Sequence, residues 1–359
     1  MQNVNAMESI TTSSYAVHFN EQGYKALNAL LKESDYSRIF ILVDENTHQH
    51  CLPLFLSQID GPGDFEIIEI ESGEENKNIS TCTGVWETLS ELDGDRKSLL
   101  INLGGGVITD LGGFVASAFK RGIDFINVPT SLLSMVDASV GGKTGVDLGM
   151  LKNQIGVINQ PQMVLISTDF LRTLDHRQLH SGYAEMLKHG LIKSENYWKR
   201  LKELNSFDSL DIPIYDSVVI KNDIVLKDPT EQHIRKILNF GHTLGHAIET
   251  HFLSSENKAT LLHGEAIAVG MILEAYLSNQ LTGLDIGHLQ DVKSTFLERY
   301  KKVDFNDTDI AAILSLLKFD KKNTHGNINF VLLKTIGETE IDCQVPDEFL
   351  KKSFAYYKE

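Results

Sequence analysis

The sequence lacks the features of secreted, membrane-spanning and nucleic-acid-binding proteins. Its 359 residues include only three cysteines, Cys51, Cys82 and Cys343, and an odd number of distant cysteines favours free thiols in a reducing compartment. The first residues have neither the basic start nor the apolar run of a signal peptide, and Glu274 interrupts the longest apolar run. A net charge of −16 argues against general binding to nucleic acid or anionic membranes. We therefore expect a cytoplasmic protein without a membrane span.

The first half of the chain alternates strand and helix patterns. Strand candidates occupy residues 38–44, 65–72, 97–106, 125–132 and 163–171, and residues 81–92 have a helical pattern. Such alternation predicts a parallel sheet covered by helices, with ligands at the carboxyl ends of the strands. Helical patterns dominate beyond residue 171, apart from a late hairpin with Gly337 at its turn. The prediction is an α/β domain over residues 1–170 and a mainly α-helical domain over residues 171–359.

The segment GGGVITDLGG, residues 104–113, follows a predicted strand and opens a predicted helix. Backbone N–H groups at such a turn can hold a pyrophosphate. Gly104 and Gly106 match the first two positions of G-x-G-x-x-G, but Thr109 occupies the third. The segment therefore predicts a dinucleotide site only weakly, and a tight structural turn is the alternative.

A second glycine-rich segment, GGKTG at residues 141–145, resembles the end of a P-loop. Val136 and Asp137 stand where the first glycine of that motif would be, which disfavours an ATPase. What remains is a flexible loop that presents Lys143, Lys152 and Asn153, donors suited to a phosphate or a carboxylate. Solvated loop lysines are the simpler interpretation.

The segment LNFGHTLGHAIE contains His242 and His246, which share one face of a predicted helix. A polar stripe extends from Arg235 through Asn239 and the two histidines to Glu249. His263 follows 17 residues after His246, which is far enough to enter the next helix, and Glu185 offers an acidic ligand. A catalytic zinc takes three protein ligands. Spacing alone leaves open which three of Glu185, His242, His246 and His263 bind, and also allows a solvent-facing stripe and a local pair between Glu185 and His189.

Several motifs together resemble the 3-dehydroquinate synthase family, from about Asp44 to the DKKN segment at 320–323. They are GGGVITDLGG, KRGIDFINVPTSLLSMVDASVGGKTG, LKNQIG, SGYAEMLKHG, RKILNFGHTLGHAIE and LHGEA. The resemblance implies a Rossmann-like NAD-binding domain followed by a helical domain that binds zinc, with cobalt as a possible substitute, and it implies a homodimer. The implied substrate is a phosphorylated sugar acid, 3-deoxy-D-arabino-heptulosonate 7-phosphate.

The resemblance also implies roles for individual residues. The implied metal ligands are Glu185, His242 and His263. The implied catalytic residues are His246, Lys188, Lys152 and Glu231. The implied substrate contacts are Lys143, Asn153, Arg235 and a lysine of DKKN (Lys321 or Lys322) at the phosphate, Arg121 from a second subunit, and Asp137, Lys221 and Asn239 elsewhere. The implied NAD contacts are Asp44, Glu74, Lys77, Gly105, Gly106, Asp110, Thr130, Ser131, Lys143, Lys152, Phe170 and Thr173.

The implied reaction is redox-neutral. NAD removes a hydride from carbon 5 of the substrate, phosphate leaves by β-elimination, the hydride returns, and the opened ring closes by an aldol step. The sequence departs from the family pattern at Thr109, in GMLKN, which lacks the usual proline, and in KDPTE, where Pro229 changes the residues before Glu231.

Three alternatives stay open from the sequence. Another sugar phosphate cyclase would use the same metal and cofactor on a different phosphorylated sugar. A metal-dependent alcohol or glycerol dehydrogenase would release NADH stoichiometrically, although the many lysines speak against it. A catalytically silent binding protein would have lost a ligand residue, and no such loss is visible.

Overall fold

The computed structural model describes residues 7–60, 64–149, 151–255, 257–317 and 328–359. The chain divides into two compact units, of which the first comprises Met1–Leu179 and Leu210–Asn222, and the second His180–Ser209 and Asp223–Glu359. The predicted fold class is confirmed, since a parallel-sheet unit precedes a helical one. The functional boundary expected after residue 170 stays a prediction.

A seven-stranded sheet forms the centre of the first unit, in the order β1-β2-β9-β6-β5-β3-β4. Its strands are β1 (Ile10–Thr11), β2 (Ala16–Phe19), β3 (Ile39–Asp44), β4 (Phe65–Ile70), β5 (Leu99–Gly104), β6 (Asp124–Pro129) and β9 (Met163–Ile166). Only β1 pairs antiparallel, with β2, and the remaining pairs are parallel. The sheet therefore has the parallel arrangement expected from the α/β alternation.

Helices cover the sheet because its central strands are apolar on both faces. The helices of this unit are α1 (Asn20–Glu33), α2 (Glu45–His50), α3 (Leu52–Leu56), α4 (Ile79–Glu91) and α5 (Gly106–Ala118). Phe40 and Leu42 of β3 and Leu100 of β5 pack with Val85 of α4 and Leu111 of α5 in one buried core. Each such side chain stabilises the fold by roughly 1.5–3 kcal/mol relative to exposure.

The strand order places a topological switch point beside β3. After β3 the chain pairs β4 on one side of it and then crosses to pair β5 on the other. The carboxyl ends of β3 and β5, Asp44 and Gly104, therefore bound a crevice, which is where open α/β sheets bind their ligands.

The segment expected to be a flexible glycine loop is instead a β-hairpin, so that expectation was wrong. Strands β7 (Lys143–Leu148) and β8 (Leu151–Ile158) pair antiparallel, with Gly145 opposite Gly156. The two glycines allow the backbones to approach closely, since a Cβ on Gly145 would lie 2.5 Å from the Ile155 carbonyl oxygen. Lys143 and Lys152 are therefore carried on paired strands.

The second unit is helical. Its helices are most of α6 (His176–Lys193), α7 (Glu195–Lys202), the last turn of α8 (Asp211–Lys227), α9 (His242–Leu253), α10 (His263–Leu281), α11 (Ile286–Arg299), α12 (Asp307–Leu316) and α13 (Asp347–Lys358). The predicted hairpin is confirmed as β10 (Phe330–Thr335) and β11 (Glu338–Cys343), with Gly337 at a φ of 93° in its turn. Within the described residues, no helix combines the length and apolarity needed to cross a bilayer.

One ion cluster of the second unit joins α9 to the start of α12. Asp309 is 4% exposed, and its carboxylate oxygens lie 3.0 Å from His251 Nε2 and 2.7 Å from Lys258 Nζ. It also accepts the backbone N–H of Asn306 at 2.9 Å as part of a capping box. Burial raises the pKa of Asp309, but the hydrogen bonds from Lys258, Asn306 and His251 outweigh burial and lower that pKa to about 2.

We predict that Asp309→Asn lowers stability most at neutral pH and changes its acid dependence. Because the folded pKa lies below the unfolded value of about 3.9, the carboxylate stabilises the fold above pH 4, and this contribution is lost as pH falls toward 2. Urea unfolding at pH 7, 5, 4 and 3 measures the effect. The difference between wild type and variant should shrink as pH falls, and a constant difference would contradict the prediction.

Candidate functional site

A buried carboxylate marks the centre of the candidate metal site in the second unit. Glu185 lies on α6 and is 0% exposed. One of its oxygens, Oε2, accepts a hydrogen bond from the buried Lys188 ammonium one turn later on the same helix. The two residues are three positions apart and therefore share one face of the helix. The second oxygen, Oε1, faces the rings of His242 and His263.

His242 begins α9, and the turn before it differs from the predicted continuous helix. Residues Ile234–Asn239 form a separate 3₁₀ turn, and Gly241 then adopts a φ of 79°, which a side chain disfavours. The buried carboxylate of Glu274 accepts the N–H groups of Gly241 at 2.6 Å and Leu244 at 3.2 Å, which satisfies the start of α9. The polar stripe from Arg235 is therefore broken ahead of His242.

His263 begins α10, which is fixed directly to the helix that carries Glu185. Ser181 Oγ on α6 accepts the N–H of Gly264 at 2.9 Å. A Cβ on Gly264 would lie only 2.0 Å from the Ser181 carbonyl oxygen, so the close approach requires glycine. Glu265 closes the helix start by accepting the N–H of Leu262 at 2.8 Å. The contact between Gly264 and Ser181 therefore fixes the start of α10, with His263, against α6, which carries Glu185.

The ligand atoms converge at a spacing that suits a metal ion. Glu185 Oε1 lies 3.5 Å from His242 Nε2 and 3.7 Å from His263 Nε2. Two ligands that each lie about 2.1 Å from a tetrahedral ion are about 3.4 Å apart. One carboxylate oxygen and two imidazole nitrogens are also a donor set that zinc accepts. These three residues therefore fit a divalent metal.

A rival donor set consists of the three histidines. Ring nitrogens of His242, His246 and His263 all lie within 4.8 Å of one another, and the ring centroids of His242 and His246 are 5.1 Å apart. We favour the set with Glu185 because its Oε1 lies 3.5 and 3.7 Å from the two Nε2 atoms, close to the separation of two ligands on one ion, and because it adds a negative charge. His246, half-buried one turn after His242, then faces the same space without being required as a ligand.

Glu249 holds the other side of the His263 ring. Its Oε2 lies 3.2 Å from His263 Nδ1. Burial disfavours the charged ring, but the carboxylates of Glu249 and Glu185 outweigh burial and raise the pKa of His263 to about 9. The pocket thus stabilises positive charge next to His263, as expected of a site for a cation.

The segment before α9 collects three further predicted site residues. Asp228 accepts backbone N–H groups from residues 232, 233 and 235, and these bonds lower its pKa despite burial. Arg235 is 2% exposed and donates from Nη1 to the Pro229 carbonyl oxygen at 2.6 Å. Glu231, at a φ of 60°, accepts from Asn239 Nδ2 at 2.9 Å. The segment brings Glu231, Arg235 and Asn239 together.

In the first unit, predicted cofactor residues lie at the ends of three adjacent strands. Asp44 ends β3 and accepts the N–H of Thr47 at 2.8 Å, so its carboxylate also caps α2. Gly105 follows β5 and is the N-cap of α5. Thr130 follows β6 and donates its N–H to the Gly104 carbonyl at 3.0 Å. A Cβ on Gly105 would lie 3.5 Å from Ser131 Oγ, so these strand ends are in contact.

A buried lysine connects the predicted cofactor residues to the hairpin. Lys77 Nζ lies 2.9 Å from Glu74, 3.5 Å from Asp110 on α5 and 4.0 Å from Asp147 on β7. Lys152 on β8 contacts the same Glu74 oxygen at 3.0 Å. Two lysines and three carboxylates therefore share one cluster. Asp147 was not predicted from the sequence, because its role depends on the hairpin that was not foreseen.

The charges in this cluster shift one another's ionisation. Burial lowers the pKa of Lys77, but Glu74, Asp110 and Asp147 raise it well above its usual range. Burial raises the pKa of Glu74, but Lys77 and Lys152 lower it far below its usual range. Burial and the neighbouring charge of Glu74 raise the pKa of Asp110 to about 6, against the opposing effect of Lys77. Asp110 therefore gains a proton more readily than Glu74 does.

Asp137 and Lys221, both predicted substrate contacts, also meet in the first unit. Asp137 lies in the π-helical turn Ser134–Ala138, and Lys221 lies on α8. Lys221 Nζ is 2.6 Å from Asp137 Oδ1 and also donates to the Asp137 backbone oxygen. Long-range pairing of this kind left no local signal in the sequence.

Other predicted residues lie at the surface or in the core. Lys143 and Asn153 are exposed on the hairpin, and Asn153 donates its N–H to Asp147 Oδ1 at 2.6 Å. Arg121 is exposed beyond the end of α5, about 18 Å of helix away from Gly105. Phe170 is buried and Thr173 is exposed, both in the 3₁₀ turn Thr168–Thr173. Lys321 and Lys322 lie outside the described residues.

Comparisons with known proteins show first the fold and then the family. The fold matches 2-deoxy-scyllo-inosose synthase, solved with carbaglucose-6-phosphate, NAD+ and Co2+, with a TM-score of 0.82, 22% identity and 97% and 99% of the two chains covered. It also matches 2-epi-5-epi-valiolone synthase from Streptomyces hygroscopicus, solved with NAD+ and Zn2+, with a TM-score of 0.78, 24% identity and 98% and 99% coverage. The chain therefore has the fold of the sugar phosphate cyclases.

Sequence similarity identifies the family within this class. Residues 67–181 match the N-terminal and residues 182–323 the C-terminal family model of 3-dehydroquinate synthase. The chain is 44% identical over 337 residues to 3-dehydroquinate synthase of Parabacteroides distasonis, covering 93% of this chain and 95% of that one. The enzyme of Helicobacter pylori strain P12 is 36% identical over 337 residues, with 94% and 97% covered. The chain belongs to the 3-dehydroquinate synthase family.

Proposed function

We propose that this protein converts 3-deoxy-D-arabino-heptulosonate 7-phosphate to 3-dehydroquinate and phosphate, with NAD and a divalent metal. The observation that carries the proposal is the convergence of Glu185 Oε1 with the Nε2 atoms of His242 and His263 at 3.5 and 3.7 Å. The NAD+ and Co2+ or Zn2+ named with two structural neighbours support the cofactors. The family identity of 44% supports this substrate over those of other cyclases.

In this proposal Glu185, His242 and His263 hold the metal, and the strand ends of the first unit hold NAD. A bound metal would make substrate hydroxyls more acidic, and bound NAD would accept and return a hydride. Gly105 and Gly106 begin α5, whose first N–H groups would face the pyrophosphate. Asp44, Thr130 and Ser131 would bind around it. The polar cluster described above would contact the cofactor through Glu74, Lys77, Lys152 and Asp110.

The remaining predicted residues would bind and orient the substrate. Lys143, Asn153 and Arg235 are cationic or amide donors suited to its phosphate. Asp137 and Lys221 are already paired, so hydroxyl groups of the substrate would meet a fixed donor and acceptor. Glu231 and Asn239 offer a second such pair. Substrate binding therefore uses groups whose positions are set before the substrate arrives.

His246 and Lys188 would act on protons and charge at the metal side. Lys188 is fixed against Glu185 Oε2, which directs Oε1 toward the histidines. His246 lies one turn after His242 on α9 and is half-buried, so its ring can hold a proton next to the ligands. We assign His246 to proton transfer and to substrate contact.

A homodimer in the cytoplasm is part of the proposal. Arg121 is exposed and lies at the far end of α5 from the glycine turn, so it would bind phosphate only in a partner's site. The functional division after residue 170 is retained, with the NAD contacts other than Thr173 before it and the metal ligands after it.

We predict that His242→Ala and His246→Ala separate metal binding from catalysis. His242→Ala removes one of three ligands and should abolish stoichiometric zinc, whereas His246→Ala should retain zinc and lose at least about 100-fold in activity, as removal of a general acid or base does. Metal content by mass spectrometry and turnover of the same preparations test this. Equal loss of zinc in both variants would favour the three-histidine set instead.

Redox balance tests the function directly. Hydride must leave and return within one turnover, so NAD supplied well below the substrate concentration should support many equivalents of phosphate release. Phosphate and the absorbance of NADH are followed in one cuvette, and dehydroquinate is measured at the end. A glycerol or alcohol dehydrogenase would form NADH in proportion to substrate consumed, and that result would overturn the assignment. Release of phosphate from glucose 6-phosphate instead would point to another cyclase.

A further inference from the structure

Glu249 is a buried carboxylate to which the proposed reaction gives no role. It lies on α9 and is 5% exposed. Its Oε2 lies 3.2 Å from Nδ1 of His263, on α10. Burying a charged group is costly unless it is paired. His263 pairs with the buried Glu249 carboxylate, and it is also a proposed metal ligand.

The two nitrogens of the His263 ring face different carboxylates. Nε2 is 3.7 Å from Glu185 Oε1, the side on which the ligand atoms converge, and Nδ1 is 3.2 Å from Glu249 Oε2. The nitrogens lie on separate edges of the ring. Glu249 is thus placed behind the ring and not among the donors that face a metal.

The geometry points to Glu249 as a positioning residue for the metal ligand His263. We propose that its carboxylate accepts the Nδ1–H of His263, which fixes the ring's orientation and leaves the Nε2 lone pair directed toward the Glu185 side. A carboxylate acceptor also makes the ring a more basic ligand. The inference rests on the proposed metal site and adds a residue that controls its affinity.

The second histidine ligand is supported differently. His242 Nδ1 lies 3.1 Å from the backbone oxygen of Phe240, which is a neutral acceptor. Glu249 follows His242 by seven residues on α9, and therefore lies on the same face of that helix two turns later. One helix face supplies both a ligand and the charged support of the other ligand. A change at Glu249 should consequently act on His263 and leave the His242 contact in place.

The chain offers a matched control in Asp309. Its carboxylate is also buried and also contacts a histidine, with Oδ1 3.0 Å from His251 Nε2. Asp309→Asn removes a buried carboxylate from the same unit without touching a proposed ligand. General destabilisation should therefore appear in both variants, whereas a loss of metal affinity should appear only at Glu249.

The test measures zinc affinity by competition with a chromogenic chelator at fixed pH, for wild type, Glu249→Ala, Glu249→Gln and Asp309→Asn. We expect Glu249→Ala to weaken zinc binding 10–100-fold, the range typical of such supporting partners. Glu249→Gln should recover part of this, because its amide oxygen still accepts the Nδ1–H. Asp309→Asn should bind zinc within about twofold of wild type. The visible spectrum of the cobalt-substituted protein should shift in the Glu249 variants and not in Asp309→Asn.

Three outcomes would overturn the inference. Unchanged zinc affinity and an unchanged cobalt spectrum in a folded Glu249 variant would show that the contact does not serve the metal, and an equal loss in Asp309→Asn would assign the effect to general stability. Circular dichroism checks folding, and Glu249→Gln provides the folded variant if the alanine does not fold. If wild type binds zinc and the Glu249 variants bind zinc with the same affinity, only this inference is rejected. Wild type that binds no zinc rejects the proposed metal site as well.

Discussion

Burial of the Glu185 carboxylate is the constraint on which the second unit depends. A charge with 0% exposure is tolerable only when positive groups surround it. Lys188 neutralises one oxygen, and His242 and His263 converge on the other. The Gly241 turn, the Glu274 contacts and the close packing of Gly264 on Ser181 all serve to bring those rings to the carboxylate. A divalent cation would fit this arrangement, because one carboxylate oxygen and two ring nitrogens converge as a donor set that zinc accepts.

The first unit also contains a buried charge, the Lys77 ammonium, that is stabilised by groups of opposite charge. Lys77 is buried among three carboxylates contributed by a 3₁₀ turn, by α5 and by the hairpin. Its positive charge ties the hairpin to the helix that begins at Gly106, so the glycine turn and the lysines of the hairpin are held in one arrangement. Burial and the neighbouring charge of Glu74 raise the pKa of Asp110 to about 6, against the opposing effect of Lys77.

The sequence predicted those features that have a local period or motif. Apolar runs located five strands of the sheet, β3, β4, β5, β6 and β9, whereas β1 and β2 were not predicted. The sequence did not predict features that depend on contacts between residues far apart in the chain. Glycines hide the strand pattern of β7 and β8, so the sequence predicts a loop where the structure has a hairpin, and the contact of Asp147 depends on that hairpin. The helix was expected to continue through Asn239 because nothing local distinguishes the φ of 79° at Gly241 from a helical glycine. The spacing of the four candidate ligands in the sequence could not show which three bind the metal, because that depends on where α6 lies.

The central claim is that Glu185, His242 and His263 together form a metal site. A crystal structure of the zinc-loaded protein, with anomalous data collected on both sides of the zinc absorption edge, tests it most directly. The account predicts one strong anomalous peak in the second unit, about 2.0–2.2 Å from Glu185 Oε1 and from the Nε2 atoms of His242 and His263, with His246 nearby but not bonded. A peak bonded to all three histidines with Glu185 out of reach, or no peak at these residues, would contradict it.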